Sequence, residues 1–133
     1  MAVDDTSLKD EVRLLTDYDG GLISDGDLLS LIELAKTELK AEVGDPSLSF
    51  YSGNLDADRA LFWLTCLFVK VKAGEIDAPN LSISELKVRH QAMDEQAGFW
   101  FKSLSRRLNA LRGTSLIGHA KISRQDRTYR FDN

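Results

Sequence analysis

Between Leu61 and Val71 the chain reads Leu-Phe-Trp-Leu-Thr-Cys-Leu-Phe-Val-Lys-Val, and only Thr65 and Lys70 interrupt an otherwise apolar stretch. The run falls well short of the ~20 residues that a membrane span needs, so protein has to cover it. A helix hydrophobic on every side is central in its fold, sheltered by neighbouring helices or by other subunits. Phe62, Trp63 and Phe68 are therefore expected in the core or at an assembly contact, together with Trp100 and Phe101 from a later segment. With 133 residues, the chain has length for one such core and not two.

The flanking segments supply helices to do the covering. Ser7 is a candidate cap for a helix over 7–16, with Leu8, Val12 and Leu15 on one face. Asp17-Tyr18-Asp19-Gly20-Gly21 then reads as a turn. Ser24 or Asp25 starts a second helix over 25–43, where Leu28, Ile32, Ala35, Leu39 and Val43 recur at three- and four-residue steps. Gly44-Asp45-Pro46 stops it. Asp56 is the expected cap of the apolar helix, 56–73, which Gly74 ends. Ser82 or Ser84 opens the longest predicted helix, 82–112. Its seam runs through Ile83, Leu86, His90, Met93, Ala97, Trp100 and Leu104, and Gly113 is its expected end. The fold class that follows is all-α: a small helical bundle with a long C-terminal helix.

Two segments stand outside that scheme. The loop 45–54 is rich in turn residues yet carries Leu48, Phe50 and Tyr51, which either fold back on the core or serve a partner. Residues 114–133 have no helical apolar stripe and read as an extended arm following a helical domain of residues 1–113. In the arm Lys121 is followed by Arg124, Arg127 and Arg130 at three-residue spacing, with Tyr129 and Phe131 beside them. That alternation suits a protein groove or a phosphate backbone, and a protein partner is the preferred reading.

Charge is distributed unevenly. Residues 1–58 hold 14 acidic and 4 basic side chains, whereas residues 59–133 hold 7 acidic and 13 basic ones. A head-to-tail ring could set an acidic face of one copy against a basic face of the next. Lys102, Arg106, Arg107 and Arg112 also raise the question of nucleic acid, although they form no single stripe at 100° per residue.

No recognisable chemistry competes with a binding role. Cys66 is the single cysteine, which excludes an intrachain disulfide, and inside an apolar helix it is expected to pack as a small hydrophobe. His90 lies on a seam and His119 stands alone in the arm. Read as a calcium loop, the segment Asp17–Asp27 fails in both frames. Starting at Asp17 puts Leu22 at the glycine position and Leu28 at that of the bidentate glutamate. No metal or cofactor is expected, and no enzymatic activity. The acidic start, Met1-Ala2-Val3-Asp4-Asp5, is unlike an export signal, so the cytosol is the expected place of synthesis.

The order of these segments resembles a known family. "LLTDYDGGLISDGD" leads into the amphipathic "DLLSLIELAKTELKAEVG", then a loop, then the apolar "DADRALFWLTCLFVKVKAG". Over residues 8–73 this is similar to the head–tail connector (adaptor) proteins of tailed viruses, in siphovirus-type phages and related archaeal viruses. The resemblance implies a structural virion protein, made in the host cytoplasm, that forms a homo-oligomeric ring of about twelve copies. Such a ring sits between the portal protein and the tail or tail-completion protein. DNA passes through its bore without sequence-specific binding, and no membrane is involved. A small helical DNA-binding or packaging accessory protein is the alternative, and an enzyme with a site between subunits is a third reading.

Overall fold

The computed structural model describes residues 3–18 and 20–115, with the backbone alone for 114 and 115. The fold class is all-α: the described residues form helices joined by turns and loops. Helix α1 spans Asp5–Thr16 and starts earlier than Ser7, because the Asp4 carboxylate accepts the Ser7 N–H at 2.8 Å. Asp17 closes it with a left-handed backbone, φ 60°. Helix α2 spans Asp25–Val43; the Ser24 hydroxyl accepts the Asp27 N–H, and Gly44 ends the helix at φ 79°.

Helix α3 spans Leu55–Lys72. Its cap is Asn54, whose side-chain oxygen accepts the Ala57 N–H, and not Asp56, which lies in the first turn. At its far end the Glu75 N–H reaches back to the Lys70 carbonyl at 2.9 Å across Gly74, a glycine-closed helix stop.

The long helix expected over 82–112 is divided. Helix α4 covers Ile83–Arg89, a 3₁₀ turn covers His90–Ala92, and α5 runs Glu95–Ser115. Met93 is extended, and Asp94 opens α5 by accepting the Ala97 N–H at 2.8 Å. The apolar period runs straight through this break, and an aspartate cap ends one helix and starts another without disturbing it. Helix α5 also continues two residues past Gly113.

The core lies along α3, which packs on α1, α2 and α5. Leu61, Leu64, Leu67 and Phe68 are fully buried, each worth about 1.5–3 kcal/mol relative to exposure. Every residue of the α2 stripe is buried, as are Ala97, Trp100, Leu104, Leu108 and Leu111 of α5. In α1, Leu8 and Val12 are buried but Leu15 is not, so its stripe is one position shorter than the spacing suggests. The apolar helix is thus covered within the chain, and its hydrophobicity alone asks for no second subunit.

The acidic first half and basic second half also meet inside the molecule. Glu42 of α2 accepts from Lys87 of α4 at 2.7 Å and from Arg112 of α5. Arg107 of α5 reaches Asp56 of α3 at 2.9 Å. Burial alone would raise the Glu42 carboxyl, but its two cations hold it below the usual carboxylate range. None of the described helices is long and apolar enough to cross a membrane.

Candidate functional site

Helix α3 carries a cation near each end, and each cation lies over aromatic rings. At the C-terminal end Lys70 is only 2% exposed. Its ammonium sits 2.9 Å from Glu75, 3.3 Å from Asp94 and 5.6 Å from the centre of the Trp100 ring. Burial would lower the Lys70 pKa, yet hydrogen bonds to Glu75 and Asp94 leave it raised. Tyr18 and Lys70 together hold the Glu75 carboxyl below its ordinary value. For Asp94 the Ala97 N–H is the main cause of a similar lowering, opposed by slight burial and reinforced by Lys70. This end is closed by the chain's own carboxylates.

The N-terminal end is open. The Arg59 guanidinium lies 4.7 Å from the Phe62 ring and 5.6 Å from Trp63. Trp63 meets Phe62 and Phe99 edge-on, at 5.0 and 6.2 Å. Phe99, on α5, is 57% exposed. Beside these rings, Asp56, Arg59 and Trp63 of α3 face Ser103, Arg106 and Arg107 of α5 across a hollow of about 490 Å³. Asp56, already bonded to Arg107, is the one carboxylate among the described residues that line it. Three guanidinium groups around a half-buried tryptophan make a surface of the composition that dominates binding hot spots.

The residues singled out in the sequence are placed as follows. Phe62, Phe68, Trp100 and Phe101 are buried, while Trp63 is half-buried at the edge of the core. Leu48 is buried, and Phe50 and Tyr51 pack against the core, so the loop 45–54 folds back on the molecule. Tyr51 is fastened most firmly. Its N–H donates to Asp58 at 2.7 Å and its hydroxyl to Asp5 at 2.6 Å, despite a left-handed backbone of φ 63°. Lys121, Arg124, Arg127, Tyr129, Arg130 and Phe131 lie outside the described residues.

Cys66 is fully buried, and that burial pushes its thiol pKa up, so it behaves as a core residue. His90 lies half-buried with its ring 4.6 Å from Phe101. In the acidic turn, one carboxylate oxygen of Asp25 accepts from two guanidinium nitrogens of Arg13, at 3.2 and 2.6 Å, and the other faces Lys9 at 3.5 Å. Sequence reasoning missed Arg59. Its signal was the four-residue step to Trp63, but the partners that complete the hollow lie more than 40 residues away on α5. Comparison with protein-family models, curated proteins and solved structures finds no match to this chain.

Proposed function

We propose that the chain is a non-catalytic structural subunit of a tailed-virus head–tail connector. It would assemble as a ring between portal and tail, with DNA passing through the bore. The observation that carries this reading is the layout of residues 8–73. There α1, the acidic turn, α2, the loop and α3 follow in the order that bears the family resemblance, and they pack as one unit. Further support comes from the cysteine and histidine among the described residues, since Cys66 serves the core and His90 packs on Phe101. Electron microscopy of assembled particles tests the proposal. The expected image is a ring of copies at the portal–tail junction, and particles lacking the protein should be tailless capsids. A single isolated copy per particle, or none at that vertex, refutes it.

A second reading is favoured by one observation, the cluster of Arg59, Arg106 and Arg107 around Trp63. Such a surface suits a nucleic-acid backbone with a base on the indole. Binding through several phosphates weakens steeply as salt rises, so a salt titration with DNA separates the two readings.

A further inference from the structure

We infer that the hollow between α3 and α5 receives the outer face of α1 from a second copy of the same chain. The inference rests on the ring reading and names the surfaces that would make its repeated contact.

Helix α1 exposes a stripe of Thr6, Asp10 and Leu14, which Asp17, the residue that closes the helix, prolongs. Leu14 is 86% exposed, the most of any large apolar side chain among the described residues. It stands between two carboxylates about 10 Å apart along the helix. Of the two cations of α1, Lys9 reaches Asp10 of this stripe and Arg13 does not. Arg13 is turned onto Asp25 at 2.6 Å, and Lys9 lies 3.5 Å from Asp25 and 3.7 Å from Asp10. The outer edge of α1 is therefore an acid–leucine–acid pattern.

The hollow is its complement. Arg59 and Trp63 are one turn apart on α3, and Ser103, Arg106 and Arg107 are one turn apart on α5, so a third helix can lie along the groove. Leu14 would pack on the Trp63 ring while Asp10 meets Arg106 and Asp17 meets Arg59. Guanidinium–carboxylate bonds of this kind fix register as well as adding attraction. The arm of the same chain is a poor occupant on charge, since Lys121, Arg124, Arg127 and Arg130 repeat the sign of the groove.

The geometry also disposes the contact to repeat. The outer residues of α1 and those that line the α3–α5 hollow are different, so donor and acceptor surfaces differ within a copy. A heterologous contact of this sort propagates head to tail and closes into a ring when the rotation allows. An isologous pair is not what these surfaces describe.

The test is charge exchange in the full chain. Sedimentation at low salt over a concentration series is measured for the wild type, Asp10→Arg, Arg106→Asp and the double variant. Circular dichroism confirms that each is folded. Each single reversal should weaken self-association about tenfold or more, and the double variant should recover most of it. If the wild type associates and the single variants match it, the inference is wrong and the ring reading survives. A wild type that stays monomeric at every concentration also overturns the inference, whether or not it binds single-stranded oligonucleotide. The ring reading is then judged separately on assembled particles.

Discussion

The two ends of α3 solve the same problem in opposite ways. Lys70 and Arg59 are both cations held over aromatic rings, at 5.6 Å from Trp100 and 4.7 Å from Phe62. Around Lys70 the chain supplies Glu75, Asp94 and the start of α5, and nothing is left for a partner to do. Around Arg59 it supplies more guanidinium groups, an exposed Phe99 and one carboxylate already taken by Arg107. Burial of a cation beside its own counter-charges marks a structural joint. A cation left open among like charges and aromatic rings has the composition of a binding surface, and on the contact proposed above its counter-charge would come from a second copy.

Substitution of the two tryptophans separates the ends most widely. Trp100→Ala removes a buried ring and should cost about 3–5 kcal/mol in denaturant unfolding, much of the stability of a domain this size. Trp63→Ala removes a half-buried one and should cost less than half as much. Equal losses would erase the distinction. Next in size is Asp94→Ala, which removes the cap of α5 and a partner of Lys70 together. About 1–2 kcal/mol should be lost in thermal or denaturant unfolding, with fraying of the first turn of α5 seen by hydrogen exchange.

The sealed end should also respond to pH. Glu75 and Asp94 have lowered pKa values in the folded protein, so their contribution is complete above the unfolded values and is lost as pH falls below about 4. Lys70 is raised, so its contribution holds at neutral pH and fades only above about pH 10. Urea titrations of the wild type and Glu75→Gln across the acid range check this, since the variant should lose less stability on acidification. The smallest expected effect on folding is at the open end. Arg59→Ala and Arg106→Ala should each stay within about 0.5–1 kcal/mol of the wild type while weakening self-association.

The sequence made the sealed parts of the molecule more legible than the joints. The α2 stripe from Leu28 to Val43 and the central placement of Leu61–Val71 follow from periodicity and length; the stripe is buried as read, and the apolar run is buried except at Trp63 and Val71, which are half-buried. Ser24, Gly44, Gly74 and Ser82 mark helix ends where the backbone requires them. The division at His90–Asp94 was hidden because apolar spacing continues through it, although Asp94 followed by Glu95 is itself a helix-start signature. Asp4 and Asn54 displaced Ser7 and Asp56 as caps, choices among neighbouring polar residues that propensity alone does not rank. The open hollow was the least legible feature. Arg59 and Arg106 become neighbours only through the packing of α3 on α5, and a one-dimensional pattern contains no such distance.

The two tryptophans allow the comparison to be tested inside one molecule, since Trp63 and Trp100 are the only ones in the chain. Single-tryptophan variants, Trp63→Phe and Trp100→Phe, each report on one end of α3 through fluorescence quenching by acrylamide. Trp100 should resist quenching in dilute and concentrated protein alike. Trp63 should be readily quenched in dilute protein and become shielded as copies associate. If Trp63 remains equally accessible in assembled and dilute protein, the open end of α3 is not the contact surface.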